Sequence, residues 1–503
     1  MSAAAEVAGV SPQRTPELHP RRWAALGVIA ISQLMVVLDA TIVNIALPSA
    51  RIDLGITEAD QQWVVTAYTL AFGGLLLLGG RIADYWGRKR TFIVGLIGFA
   101  VASALGGAAD SFGLLVSARA LQGAFGALLA PTALAVLTTT FTVAKERARA
   151  FGVFGAIAGA GGAVGLLLGG VLTEYASWRW CLLVNIPIAL AALALAIPLV
   201  PESKAHGDTS YDVPGAVVVT LGLTSLVYGF TEAAKPDKGW DAGTTWAFIG
   251  GGLVLLVIFV LIERASKNPL LPLRIVLDRN RGGAYLTSML VGAGLFGAFL
   301  FLTLYLQNVL GYSPLKAGFA SLPVTAGVLI SATAASNLLP RIGPKILMMA
   351  GPVLAAAGML SLRFIDLDTS FWAHLMPAQV LLGLGLGFTF VPLSSLALVG
   401  VPEHDAGAAS AALNATQQIG GSLGTALLNT IATSAITAYV ASHLVAPDQP
   451  PTPQVLLEAQ VDGYADAFTW ASGLILLAGI ITALVIKVGK EDLPTGETAV
   501  HVG

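Results

Sequence analysis

The sequence has little charge and almost no cysteine. Only 11% of its 503 residues are Asp, Glu, Lys or Arg, whereas about 25% is usual in soluble domains. Cys181 is the single cysteine, which excludes an internal disulfide and a cysteine-bound metal cluster. The six histidines are scattered without the spacing that a metal site needs. The net charge of −2 gives a nucleic-acid partner no electrostatic support.

Apolar residues dominate the chain instead. Hydrophobic residues make up 55% of it, and its mean hydropathy is +0.78. A helix that crosses a bilayer needs about 20 mostly apolar residues, and runs of this length recur between charges, turns and polar clusters. They predict an all-α integral membrane protein with fourteen transmembrane helices. The approximate limits of the predicted spans are 23–47, 61–80, 91–109, 113–138, 150–172, 180–199, 214–233, 244–263, 283–306, 314–339, 346–364, 372–398, 408–439 and 466–487.

The distribution of cations predicts how the chain sits in the membrane. The first 20 residues are polar, so we expect no cleaved signal peptide and insertion by the first span itself. With the N-terminus inside, about 20 Lys and Arg residues lie on the cytoplasmic side and about 6 on the other. This predicts a multi-pass protein of the cytoplasmic membrane with both termini in the cytoplasm. The proline-containing stretch 440–465 is predicted to be the longest outside loop, and mobile.

The densest polar stretch, Gly80–Phe92, reads G-R-I-A-D-Y-W-G-R-K-R-T-F. Four cations and one acid between glycines predict a tight turn at the membrane surface. A positively charged turn explains the cations but not Asp84, three residues before a glycine. The stretch resembles the loop-2–3 signature of the major facilitator superfamily, G-x-L-a-D-r-x-G-r-k-x-x-l. The resemblance implies a cytoplasmic latch whose salt and helix-end contacts form in the outward-open state and break in the inward-open state; its residues are Gly80, Asp84, Gly87, Arg88 and Lys89.

A shorter turn, R-I-G-P-K at 341–345, holds the same place in the last six spans. Gly343 and Lys345 align with Gly87 and Lys89, but no acid aligns with Asp84. This degenerate repeat suits two six-helix halves with two extra helices inserted between them. The predicted division is a cytoplasmic tail (1–22), an N-terminal half (23–200), a linker with two transmembrane helices and a cytoplasmic loop (201–281), a C-terminal half (282–487) and a second cytoplasmic tail (488–503).

Asp39 is an acid about two thirds of the way along span 1. A carboxylate at that depth is costly and is functional by default. Desolvation disfavours its charged form, which suits a proton carrier. The alternative is a hydrogen-bond acceptor in helix packing, close to a water-filled vestibule. The surrounding string, L-D-A-T-I-V-N-I-A-L-P, resembles a signature of the fourteen-span drug:proton antiporters within the superfamily.

Arg119 is the only cation placed well inside a span. It lies in L-V-S-A-R-A-L-Q-G, and Gln122 shares its helix face one turn later. Such a cation must face protein or water, and the obvious acid is Asp39. The string resembles the superfamily's span-4 signature, l-x-x-x-R-x-x-q-G, in which the arginine is implicated in proton transfer. The alternative is a charge close enough to the outer surface to reach it.

Span 5 is rich in glycine. Small residues three and four apart predict close approach of helix backbones, as any packing face would. The span resembles the antiporter signature g-x-x-x-G-P-x-x-G-G through Gly161, Gly165, Gly169 and Gly170. It departs at Leu166, where that signature has proline, so the kink that the proline would give is not predicted.

The C-terminal half contains no obvious intramembrane acid, and its polar side chains are neutral. Glu174 and Glu232 lie near outer ends of spans and are predicted to be solvated. Neutral polar side chains within spans could line a cavity and bind a substrate, or they could bond helices together at about 1 kcal/mol each. The residues proposed for a substrate cavity are Asn44, Gln122, Asn185, Gln307, Asn414 and Gln418.

The resemblance covers about 23–440. It implies a major facilitator fold and proton-coupled export of hydrophobic or amphipathic drugs by alternating access, with Asp39 binding the proton and Arg119 opposing or releasing it. We expect no cofactor besides the coupling protons, small hydrophobic or cationic molecules as partners, and a monomer in the lipid bilayer. One alternative is a dedicated exporter of one metabolite or antibiotic. Another is a sensor or lipid-handling enzyme, although the sequence has no nucleophile–base pair or phosphate-binding loop.

Overall fold

The computed structural model describes residues 21–58, 60–141, 144–204, 212–235, 238–266, 269–270, 273–397, 401, 406–443 and 450–489. Side chains are not described at 138, 144–145, 147–148, 151–152, 155–156, 158–160 and 406–408. Most of the predicted N-terminal tail and of the predicted C-terminal tail therefore lies outside the described residues.

Long helices follow one another along the described chain, with short connections between them. Numbered in order, they are α1 (Arg22–Leu54), α2 (Trp63–Trp86), α3 (Arg88–Gly107), α4 (Phe112–Thr140), α5 (Ala144–Tyr175), α6 (Trp180–Leu199), α7 (Val213–Ala233), α8 (Gly243–Ala265), α9 (Arg279–Val309), α10 (Pro314–Ile342), α11 (Pro344–Phe364), α12 (Phe371–Leu396), α13 (Ala406–His443) and α14 (Pro453–Val485).

The predicted all-α membrane fold is confirmed. Thirteen of these helices, judged on the described residues, are long and apolar enough to cross a bilayer. The other long helix, α5, covers the predicted fifth span, 150–172, although several of its side chains are not described. Five of the described helices contain irregular turns: α6 is interrupted at Val184 and α10 at Ser321, α9 ends in a π-helical turn, α11 ends in a 3₁₀ turn and α12 begins with a π-helical turn.

Two predicted boundaries were wrong. Span 1 was expected to end at residue 47, but Pro48 lies inside α1, which continues to Leu54 and ends at Gly55 in the left-handed conformation. The stretch 440–465 is largely helical rather than a loop, because α14 already begins at Pro453. Thr452 caps this helix through its hydroxyl oxygen, and a proline suits the first helical position.

The chain repeats one structural detail in its two halves. A single glycine separates α2 from α3, and a single glycine separates α10 from α11. Gly87 has a φ of 124° and Gly343 a φ of 82°, values that a residue with a side chain rarely adopts. The aligned glycines therefore make the same kind of turn. We call α1–α6 the N-terminal half, α9–α14 the C-terminal half, and α7 with α8 the linker pair.

The two halves meet near one membrane face, the face where α1 ends and α2 begins, called here the α1–α2 face. Within the described residues, α2 packs on α13, and α5 packs on the start of α10. The Gln307 side chain donates a hydrogen bond to the Ile45 carbonyl, and the Leu315 N–H donates one to the Glu174 carboxylate. This face is thus closed. By the predicted orientation it is the outer face.

Candidate functional site

A buried carboxylate and a buried guanidinium form the centre of the N-terminal half. Asp39 on α1 is 0% exposed and Arg119 on α4 is 1% exposed. Arg119 Nη1 lies 2.6 Å from Asp39 Oδ2. Two charges removed from water are tolerated only when each is paired and hydrogen-bonded. The sequence suggested this partner for Arg119, and the structure places the two side chains in direct contact.

Arg119 is held on three sides. Its Nε donates to the Val64 carbonyl of α2 at 3.0 Å, and its Nη1 also donates to Gln122 Oε1 at 2.8 Å. Its guanidinium carbon lies 4.4 Å from the centre of the Tyr68 ring, within the range of a cation–π contact. These contacts exclude the alternative in which Arg119 reaches the membrane surface.

Asp39 accepts further hydrogen bonds from neutral amides. Asn185 Nδ2 on α6 donates to Oδ1 at 2.7 Å, and Gln122 Nε2 on α4 donates to the same oxygen at 3.0 Å. Gln122 Nε2 also lies 2.7 Å from the Ser103 hydroxyl of α3. We call Asp39, Arg119, Gln122, Asn185 and Ser103 the Asp39 network. Arg119, Gln122 and Asn185 bind the carboxylate directly, and Ser103 is linked to it through Gln122. The network therefore connects α1, α3, α4 and α6.

A small cavity borders the network on the side of the α1–α2 face. Its volume is about 10 Å³, which is about the space of one water molecule. Arg119 is the only charged side chain in its lining, which also includes Val43, Leu47, Leu115 and Cys181. A water molecule there would contact the guanidinium side of the network.

The six residues proposed for a substrate cavity do not form one cluster. Gln122 and Asn185 are fully buried on Asp39. Gln307 is bonded to the backbone of α1. Asn44 and Asn414 donate to carbonyls of their own helices, and Gln418 lies where α13 passes closest to Gly73 of α2.

The glycines of α5 form a surface that fits α1. A Cβ atom added at Gly161 would meet Val37, one at Gly165 would meet Thr41, and one at Gly169 would meet Ile42. Each of these partners lies within one turn of Asp39. Gly170 instead faces Leu315 of the C-terminal half.

The start of α10 reaches the same part of α5. A Cβ atom at Gly318 would meet the carbonyl of Leu166, the residue that stands where the antiporter signature has proline. The glycine surface therefore brings α5 close to both α1 and α10.

The residues proposed as a latch bind within the N-terminal half. Arg88 Nη2 lies 2.7 Å from Asp84 Oδ1, one turn earlier in the chain. Lys89 Nζ donates to the Ile197 carbonyl at the end of α6. Gly80 packs on Pro131 of α4.

The chain just after α6 completes this arrangement. The Arg88 N–H donates to the Ser203 carbonyl, and the Lys89 N–H donates to Glu202 Oε1. Glu202 thus caps the start of α3. Neither of these two contacts could be predicted from the sequence, because Glu202 and Ser203 lie outside the spans.

The prediction that Glu232 is solvated was wrong. Its side chain, at the end of α7, is 1% exposed. It pairs with Lys235, Nζ to Oε1 at 2.6 Å, and with Lys238. The hydrogen bond that Lys235 donates to the Glu232 carboxylate raises the pKa of Lys235 above its usual value. Two lysines a few residues further along the chain are the sequence signal that could have indicated this buried pairing.

Comparisons with known proteins agree with the helical architecture. The chain matches the Major Facilitator Superfamily over residues 29–425. It is 49% identical over 476 residues to the "Puromycin resistance protein pur8" of Streptomyces alboniger, covering 94% of this chain and 93% of that protein. It is 32% identical over 469 residues to the "Multidrug resistance protein Stp" of Mycobacterium tuberculosis, covering 92% and 85%.

A solved structure shares the fold. It is a bacterial homologue of the human lysosomal transporter Spinster, in an inward-facing and occupied conformation. The TM-score is 0.66, and the alignment covers 95% of this chain and 99% of that chain, with 15% sequence identity.

Proposed function

The chain belongs to the major facilitator superfamily, and from this premise we propose that it exports drug- or antibiotic-like small molecules in exchange for protons. The observation that carries the proposal is the Asp39 network. A carboxylate buried among transmembrane helices, with a cationic partner, Arg119, on another helix, is suited to bind and release a proton. The two relatives, one named for puromycin and one for multidrug resistance, support small toxic molecules as the substrates.

Protonation of Asp39 would change several contacts at once. It removes the negative charge that faces Arg119 and leaves a hydroxyl in place of one acceptor oxygen. The hydrogen bonds from Arg119, Gln122 and Asn185 would therefore weaken together. Since these donors lie on α4 and α6, the proton would alter how α1 packs against both helices.

The burial of Asp39 links proton exchange to conformation. In the present state the carboxylate has no exposed surface, so a proton can reach it only when the surrounding helices move or a water enters beside Arg119. Movement of the halves that opens the opposite membrane face would change this access. Coupling by alternating access requires such a difference between states.

The substrate would bind where the halves separate, away from Asp39. Gln418 of α13, a neutral polar residue, lies against Gly73 of α2 at this surface. Neutral or singly charged compounds with apolar surface suit such a lining better than divalent cations. We place both termini in the cytoplasm, on the evidence of the cation distribution.

A dedicated exporter of one antibiotic is the second candidate. The high identity to a protein named for resistance to puromycin favours it. A growth-inhibition panel in pump-deficient cells separates the two: a dedicated exporter protects against one compound or its close analogues, whereas a broad exporter protects against unrelated amphipathic compounds.

Efflux from cells that lack their own pumps tests the proposal. Ethidium and puromycin efflux is measured for the native chain and for Asp39→Asn, with and without a protonophore. We expect the protonophore to abolish native efflux, and Asp39→Asn to reduce it at least about tenfold, because a carboxamide cannot exchange a proton at neutral pH.

Asp53→Asn is the matched control, since Asp53 is a carboxylate on the same helix that pairs with Arg179 at the α1–α2 face. It should retain most of the efflux. Normal, protonophore-sensitive efflux by a correctly inserted Asp39→Asn protein would refute the role of Asp39.

A further inference from the structure

The linker pair makes specific polar contacts near the α1–α2 face. α7 lies between α2 of the N-terminal half and α13 of the C-terminal half. Gln62 Nε2, at the start of α2, donates to the Thr231 hydroxyl of α7 at 2.9 Å. On the other side, the Thr430 hydroxyl of α13 donates to the Phe230 carbonyl of α7 at 2.7 Å and also lies 2.9 Å from the Ala426 carbonyl of its own helix. Two adjacent residues of α7 therefore bind both halves.

The hydrogen bonds between α7 and the two halves are buried, and apolar residues pack beside them. Gln62, Thr231 and Thr430 are at most 1% exposed. Beneath them, Leu223 and Val227 of α7 share an apolar cluster with residues of α2 and α13. Separating these partners would leave buried polar groups without hydrogen bonds until water replaces them. The contacts therefore favour the closed arrangement.

The end of α7 is fixed in position by charge. The buried Glu232 carboxylate, next to Thr231, binds the two lysines that follow the helix. This pairing holds the last turn of α7 against the loop that leads to α8. The carbonyl of Phe230 is consequently presented to α13 by a rigid helix end.

The described polar contacts of the linker region with the N-terminal half lie at more than one depth. Besides the Gln62–Thr231 bond, a close approach joins Gly74 of α2 to Thr220 of α7, eleven residues or about 16 Å along the helix. At the opposite membrane face, Arg81 of α2 donates to the Pro269 carbonyl of the loop after α8. These contacts lie at three depths, whereas the described hydrogen bond to α13 lies only at the α1–α2 face.

We propose that the linker pair moves with the N-terminal half and that its end is part of the gate at the α1–α2 face. In the closed state the Phe230 carbonyl binds Thr430 and adds to the direct contact between α2 and α13. Opening of this face breaks that bond, while the Gln62–Thr231 bond stays intact. The inference rests on the alternating access in the proposed function, and it assigns the two inserted helices a task in that cycle.

A cysteine placed at the gate reports the opening of the α1–α2 face. The assay needs neither a transported substrate nor a proton gradient. Thr425 on α13 is 0% exposed, and its hydroxyl has no hydrogen-bond partner among the described residues. It lies three residues after Ser422, which donates to the Thr66 carbonyl of α2. The substitution Thr425→Cys, made in a Cys181→Ser background, therefore places a single thiol near the closed contact between α2 and α13. Its reaction with a membrane-impermeant maleimide added to intact cells reports how often the face opens.

The proposal predicts an asymmetry between two matched substitutions. Thr430→Val removes a bond that exists only in the closed state, so labelling should be about three- to tenfold faster. Thr231→Val removes a bond present in both states, so labelling should stay within twofold. Thr437→Val is the control on α13, because its hydroxyl bonds only to its own helix. Thr430→Ser keeps the hydroxyl and should restore the slow rate; Thr430→Ala replaces Thr430→Val if the latter does not insert.

Two results would overturn the inference. One is a labelling rate for Thr430→Val equal to that for Thr437→Val. The other is an equal acceleration by Thr231→Val, because the linker pair would then separate from the N-terminal half as well. If the reporter is never labelled in any variant, the face does not open and alternating access itself fails. The outcome thus distinguishes failure of this inference from failure of the proposed function.

Discussion

The side-chain amide of Asn185 donates a hydrogen bond of 2.7 Å to Asp39, although 146 residues separate the two along the chain. Asn185 begins the main part of α6, and Asp39 lies inside α1. The bond connects two helices of the N-terminal half through a carboxylate that also binds Arg119. The charged form of that carboxylate therefore depends on a neutral residue from a third helix.

Replacing Asn185 with leucine should weaken transport. A hydrogen bond to a charged group contributes about 1.5–3 kcal/mol, and leucine removes the donor that Asn185 supplies to Asp39. We expect proton-driven efflux, measured in inverted vesicles, to fall at least about tenfold. Asn337→Leu is the control, since Asn337 is exposed on α10 and its amide bonds to its own helix. Equal efflux by the two variants would show that Asn185 has no influence on Asp39.

Arg119→Lys should reduce efflux at least about tenfold even though it keeps the charge. The guanidinium of Arg119 binds the Val64 carbonyl with one nitrogen and Asp39 with another, and an ammonium group cannot reproduce this geometry. Arg51→Lys is the matched control, because the described side-chain hydrogen bond of Arg51 joins a single nitrogen, Nη1, to Glu58, and an ammonium group can replace it. Efflux and membrane insertion are measured for both. Equal activity of the two variants would contradict the prediction.

Gly165→Ala should destabilise the protein, whereas Gly162→Ala should not. A Cβ atom at Gly165 would collide with Thr41 of α1, but one at Gly162 meets nothing within 4 Å. Forcing a methyl group into a packed contact costs about 1–3 kcal/mol, while alanine in a free helical position is slightly favourable. Thermal unfolding in detergent, followed by fluorescence, measures the difference. The same melting temperature for both variants would mean that α5 does not pack closely on α1.

Gly87→Ala should destabilise the turn between α2 and α3. The φ of 124° at this glycine is unfavourable for a residue with a side chain, by about 1–2 kcal/mol, and the new methyl group would also meet the Glu202 carboxylate. We expect lower expression and a lower melting temperature than for Gly113→Ala, at a position with free space in α4. Native-like stability of Gly87→Ala would indicate that the turn relaxes without loss.

The sequence predicted the helical architecture well because membrane thickness imposes one length on every span. It also suggested that Arg119 would find Asp39, since an intramembrane cation has few possible partners. The end of α1 was predicted too early, at residue 47, just before Pro48. In the structure this proline lies inside the helix, where the loss of one backbone bond is tolerated.

Other features have no local signal in the sequence. Asn185 of α6 donates to Asp39, and Ser103 of α3 accepts from Gln122; neither residue has a neighbour in the chain that indicates its contact. Neutral polar side chains can bond in many directions, so only the packing of the helices selects the partner. The N-terminal part of α14 was missed for a different reason, because its acids interrupt the apolar run used to define a span.

The confinement of the Asp39 network to α1, α3, α4 and α6 has an evolutionary consequence. Every charged member of the network lies in one half of the molecule, and none of its described contacts involves the other half. Under the proposed function, substitutions in α9–α14 can therefore alter the compounds that are accepted while leaving the proton-binding carboxylate and its contacts unchanged. One half of the chain would then be free to diversify while the other keeps its sequence around Asp39.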